Sequence, residues 1–182
     1  MLVLPTHRVI GGLRGFSLQD FMARSGEQIE YRPVRPRRKD FADAGRFLAG
    51  FGQHAMLLAT PRDGGVECFV ARPRRLADMD RLAADEQPAW RQLDVSILHR
   101  LLIGEHLRAW GGEQARIDYC ADGLAALARV QDADCDLAAF LQPTPVESVV
   151  AIARAGSVMP HKSTYFYPKP ATGLVMYDLN DQ

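Results

Sequence analysis

A mixed α/β (α+β) fold, with a mixed sheet, flanking helices and a closing pair of C-terminal strands, is the class this sequence predicts. Three observations lead there. Short apolar, strand-like runs alternate with stretches of helical periodicity along the chain. Several helical stretches open on a capping residue and close on glycine. A length of 182 residues, 47% of them hydrophobic, supplies one ordinary core, so a single domain over residues 1–182 is expected.

The elements follow in order. Residues 2–10 read as a strand, broken or bulged where Pro5 removes a backbone donor. Ser17 is an N-cap, with Asp20 in the first turn and Phe16 and Phe21 spaced as a hydrophobic staple, so a short helix ends by Gly26. Residues 31–39 are extended and basic, because Pro33 and Pro36 exclude a helix. Asp40 is expected to cap a second helix over 41–51. Residues 54–60 and 66–71 form a hairpin around Pro61-Arg62-Asp63-Gly64-Gly65.

A polar, alanine-rich helix is expected over 76–90. A stronger one opens at Asp94, where Val95, Leu98 and Leu102 share a face with Ile97 and Leu101 on its flank, and ends near Gly111-Gly112. Residues 116–120 are a strand, 123–131 a helix and 136–141 a buried strand. Thr144-Pro145-Val146-Glu147 reads as a capping box with proline at the first helical position. Val146, Val149, Val150 and Ala153 would be that helix's apolar face, and Gly156 its stop. Residues 164–167 and 174–179 are the closing strands.

Composition narrows the function classes. Twenty-two basic residues balance 22 acidic ones, so no net field selects nucleic acid or an anionic membrane as partner. No apolar run approaches the about 20 residues that span a bilayer, and the apolar start is cut by Pro5, His7 and Arg8. Cys68, Cys120 and Cys135 are widely spaced and read as reduced thiols, which places the chain in the cytoplasm. Lysine is rare: Lys39, Lys162 and Lys169 are the only three among the 22 cations, and two of them flank one aromatic segment.

Several chemistries find no support. His99 and His106 lie seven residues apart on a helix, about 10 Å along the axis, too far for one ion bound at about 2 Å from each nitrogen. There is no G-x-S-x-G elbow and no Gly-rich phosphate loop. The basic run 32–39 lacks interleaved aromatics and reads as a solvated loop. Three segments remain. Thr6, His7 and Arg8 place a hydroxyl, an imidazole and a guanidinium together on a strand, where a ligand site and a polar strand face are both open readings. In Met159–Lys169, Lys162, Ser163 and Thr164 suit an anionic group while Tyr165 or Tyr167 packs on its body and Lys169 adds a second ammonium; a sheet-completing aromatic strand is the plainer alternative. Gln142 and Thr144 lie where a strand's carboxyl end meets a helix N-terminus, a common anion crevice.

Phe140-Leu141-Gln142-Pro143-Thr144-Pro145-Val146, Met159–Lys169 (MPHKSTYFYPK) and Thr172-Gly173-Leu174-Val175 together resemble the C-terminal signature of the bacterial and archaeal "domain of unknown function 1015" family. Leu4–Arg8 and Asp94–His99 fit the same pattern. Pro170 stands where leucine is more usual, and His161 fills a variable slot. The resemblance implies that residues 1–182 correspond to the C-terminal half of a longer architecture. Its upstream half carries an Asp-Gly-His-His-Arg-type segment, similar to a nucleotide-site element of the ParB-like and free serine kinase superfamily. No Gly-His-His-Arg occurs in this sequence. The implied function is a half-site of a phosphoryl-transfer, kinase-like enzyme that binds a small anionic or phosphate-containing molecule, with a nucleotide as the implied cofactor. His7, Arg8 and Lys162 are then the catalytic candidates, and Thr6, Gln142, Thr144, Ser163, Thr164, Tyr165 and Lys169 the further binding residues. The alternative is a non-catalytic module whose signature residues serve folding and association, with a second copy or a separate N-terminal-half protein as partner.

Overall fold

A computed structural model describes residues 2–169. Six strands form one sheet: β2 (His7–Gly11), β3 (Ile29–Pro33), β4 (Met56–Arg62), β5 (Gly65–Pro73), β6 (Arg116–Cys120) and β7 (Leu137–Phe140), in the order β3-β5-β4-β7-β2-β6. Every pairing in it is antiparallel, a detail that interleaved strands and helices do not announce. β1 (Leu2–Leu4) pairs instead with β8 (Tyr165–Tyr167) in a separate two-stranded sheet. β8, the first of the two expected closing strands, thus has a partner at the start of the chain. The second expected strand, 174–179, lies outside the described residues.

Period-2 alternation divides the core between the two faces of the sheet. Ile10, Ile29, Met56, Leu58, Leu137 and Ala139 face one way. They pack against α1 (Leu18–Ser25), α4 (Asp78–Leu82), α5 (Pro88–Arg91), α6 (Asp94–Ile97) and a π-helix (Leu98–His106) that continues α6. Val9, Leu57, Ala59, Val70, Ala138 and Phe140 face the other way, against α2 (Arg38–Ala42), α3 (Ala44–Ala49) and α7 (Gly123–Gln131). α8 (Val146–Arg154) follows β7 and packs on α5. Each fully buried Leu, Ile or Phe contributes about 1.5–3 kcal/mol, so both layers are strongly held. No helix among the described residues is long and apolar enough to cross a membrane.

Five local expectations change. Asp40 does not cap one long helix. Its Oδ2 accepts the Arg37 N–H at 2.7 Å, α2 stops at Asp43, and Asp43 caps α3 by accepting the Arg46 N–H. The 76–90 helix is two short ones, because Pro88 opens α5 and holds Gln87 extended. The helix from Asp94 changes to i→i+5 bonding after four residues and to a 3₁₀ turn at Leu107–Trp110. Thr144 does not cap α8: the N-cap position is Pro145, and the Thr144 hydroxyl donates to the Ser163 carbonyl at 2.9 Å. The inward face of α8 is also turned, with Ile152 buried while Val146, Val150 and Ala153 are exposed. Its stop is as expected: Gly156 sits at φ +69°, with the Gly156 and Ser157 N–H groups bonded back to Ala153 and Ile152.

Candidate functional site

The site starts from three consecutive buried residues at the entry of β2. Thr6, His7 and Arg8 are 7%, 2% and 1% exposed. On a strand, neighbours point to opposite faces, so His7 and Arg8 cannot serve one ligand side by side. His7 turns toward the α2–α3–α7 layer. Its Nδ1 accepts the Leu141 N–H at 3.2 Å, its ring packs on Phe140 at 5.1 Å, and Nε2 lies against α7 at Gly123. Burial, then the Arg8 charge, lower its pKa to about 4, so the ring is neutral. That placement sets His7 on the opposite face of the sheet from Arg8, so the three catalytic candidates His7, Arg8 and Lys162 do not meet in one cleft.

Arg8 turns toward the layer of α6 and the π-helix. Nη1 donates to the Thr6 carbonyl, Nη2 donates to the carbonyls of Lys162 (3.1 Å) and His161 (3.4 Å), and Nε donates to His99 Nε2 at 3.3 Å. The Tyr119 ring, its register partner on β6, lies 5.0 Å from the guanidinium carbon. No carboxylate among the described residues comes within ion-pair distance of it. Burial lowers its pKa to about 10, which still leaves it charged at neutral pH. His99 is held neutral, at about 4, by burial and then by the Arg8 charge. An accepting imidazole is what a donating guanidinium requires.

A cavity of about 240 Å³ opens beside Arg8. At roughly 30 Å³ per water it has room for about eight waters, the scale of a small metabolite. Thr6, Arg8, Gln142, Thr144 and Ser163 line it, so five of the ten sequence candidates converge there. Pro145 and Ser148 add the first turn of α8. Its remaining wall carries two residues that the sequence reading did not single out as a site, His54 and Asp94, joined by a 2.8 Å contact between Nδ1 and Oδ1. Asp94 was visible only as a helix opener, and no local pattern marks His54, because their meeting depends on β4 and α6 packing together.

Lys162, Thr164, Tyr165 and Lys169 line a second groove, of about 420 Å³, that shares Thr6 with the cavity. Lys169 Nζ sits 5.2 Å from the Tyr165 ring centre. Lys162 is exposed and adopts φ +54°, a turn that aims its carbonyl at Arg8. The closing motif thus gives Ser163 to the cavity and both lysines to the groove. His7 lines neither.

No family model matches the chain, and no curated protein does. Among solved structures, it is similar to a mutant of free serine kinase in complex with AMP, at 15% identity and TM-score 0.48, over 90% of this chain and 52% of that one. The same kinase in complex with ADP gives 19% identity and TM-score 0.45, over 90% and 53%. A conserved hypothetical protein from Pyrococcus furiosus gives 14% and 0.48, over 90% and 54%. The chain spans about half the length of each of these structures.

Proposed function

We propose that the cavity beside Arg8 binds the phosphate or carboxylate of a small molecule, and that the chain supplies this half-site to a phosphoryl-transfer enzyme. One observation carries the reading: a guanidinium 1% exposed, facing a cavity, with its charge unbalanced by any carboxylate among the described residues. Withdrawing such a cation from water costs several kcal/mol, and backbone carbonyls repay its hydrogen bonds without cancelling its charge. An anion does both. Ser163 offers a hydroxyl at the cavity wall, Thr144 holds the Ser163 segment in place by donating to its carbonyl, and the α8 N-terminus adds a favourable dipole. Lys162, Lys169 and Tyr165, in the adjoining groove, would hold the remainder of a nucleotide-sized ligand.

A second reading has its own observation. Four of the five guanidinium N–H groups are already committed to Thr6, His99, His161 and Lys162. Arg8 is then a strap that fastens residues 161–162 to β2 in a non-catalytic module. Calorimetric titration with inorganic phosphate, AMP and ADP separates the two. Saturable binding that Arg8→Lys weakens at least tenfold, about 1.4 kcal/mol, supports the anion site. Binding to the wild type that Arg8→Lys leaves unchanged, or no binding at all, leaves only the strap.

A further inference from the structure

His54 sits in the turn before β4 at φ +60°, a backbone region that non-glycine residues seldom occupy. The turn is pinned on both sides of it, since Gln142 Nε2 donates to the Gly52 carbonyl at 3.2 Å and to the Ala55 carbonyl at 3.4 Å. Strained residues held this firmly concentrate at functional sites. Gln142 therefore enters the cavity's design through the turn that it clamps.

The product of that clamp is a fixed His–Asp pair. Asp94 Oδ1 lies 2.8 Å from His54 Nδ1, and each side chain is 20% exposed. A carboxylate only accepts, so the proton of a neutral ring resides on Nδ1 and the lone pair on Nε2. Both residues line the cavity that Arg8 lines. Of the described histidines, His7 faces the opposite layer, His99 accepts from Arg8, and neither His106 nor His161 borders this cavity.

We propose that His54, oriented by Asp94, is the proton acceptor of this cavity. The proposal rests on reading the cavity as an anion site. A substrate hydroxyl, placed by a neighbouring anionic group on Arg8, gives its proton to Nε2 while its oxygen forms a bond to the phosphorus of a phosphoanhydride donor. The bridging P–O bond breaks, its electron pair leaves with the donor's remaining phosphate, and the imidazolium, stabilised by Asp94, returns its proton to solvent. His54 is the catalytic residue in this step and Asp94 its positioning residue.

Two measurements on the full chain test it. Ring ¹H–¹⁵N spectra read the tautomer directly. A proton on Nδ1 and a bare Nε2 are expected for His54, and a proton on Nε2 of the neutral ring overturns the assignment. Acylation by diethyl pyrocarbonate, mapped by peptide mass, reads the nucleophilicity of Nε2 against exposed His161 as internal standard. Asp94→Asn should slow acylation of His54 roughly tenfold and leave His161 unchanged. Saturating inorganic phosphate should protect His54 alone. An unchanged His54 rate in Asp94→Asn refutes the base assignment while leaving the anion site standing. Phosphate that binds by calorimetry yet fails to protect His54 also refutes it. Absence of phosphate binding strikes the anion site instead, whatever the tautomer.

Discussion

His7 and Arg8 are bonded neighbours on β2, yet they belong to different halves of the molecule. On the His7 side, regular short helices close over the sheet, and the imidazole is consumed by the Leu141 N–H and by Phe140. On the Arg8 side, a helix that loosens into π geometry and a proline-rich entry to α8 leave a cavity with a charge beside it. The same burial thus produces a neutral packing residue on one face and, on the other, a cation with no carboxylate among the described residues to balance it. What separates them is the set of partners each meets, since the imidazole meets a backbone N–H and an aromatic ring, whereas the guanidinium meets backbone carbonyls, a neutral imidazole and the cavity.

The largest expected effect treats the two faces alike. His7 and His99 both have pKa values near 4, against 6.5 when exposed. The unfolded chain takes up protons around 6.5 and the folded chain only near 4. Stability is therefore intact above about pH 6.5 and is lost as pH falls toward 4, by roughly 3 kcal/mol for each histidine. Urea unfolding at several pH values should show the loss, and His7→Gln and His99→Gln should each remove about half of it. Loss confined to one variant would break the symmetry.

Gly123→Ala probes the His7 face. A Cβ there would stand 1.9 Å from the Phe41 carbonyl oxygen, and α7 would have to move away from α2. About 3 kcal/mol of destabilisation is expected, with phosphate affinity kept in the molecules that fold. Arg8→Met probes the other face. It leaves the carbonyls of Thr6, His161 and Lys162 without their donor, for about 2 kcal/mol, and should abolish phosphate binding. Thr144→Val is milder. It removes the bond to the Ser163 carbonyl, for about 1 kcal/mol by denaturant titration, and weakens phosphate binding only as far as the Ser163 segment shifts.

The contrast also explains what could be read beforehand. Patterns that live within one element were legible: the Ser17 cap, the β4–β5 hairpin, the Gly156 stop and the buried run of β7. Thr6, Arg8, Gln142, Thr144 and Ser163 stand out in the sequence because each is a polar group in an otherwise apolar or strand-like setting, and they line one cavity. His7 does not join them, because adjacency along a strand means opposition across it. His54 and Asp94 were missed because nothing local links residues 40 positions apart. Asp40 and Thr144 show the same limit on a smaller scale, since Asp40 closes the N-terminus of α2 from inside its first turn and Thr144 spends its hydroxyl on the Ser163 carbonyl.

The central claim is that the Arg8 charge awaits an anion. The Nε–H of this guanidinium is bonded to His99 in the interior, where its ¹H–¹⁵N resonance should exchange slowly and be observable. Titrating inorganic phosphate into the wild-type chain should move that resonance saturably, with the same midpoint as the calorimetric isotherm. A resonance that stays fixed while exposed signals from Lys162 and Lys169 move would place the anion in the outer groove and contradict the account.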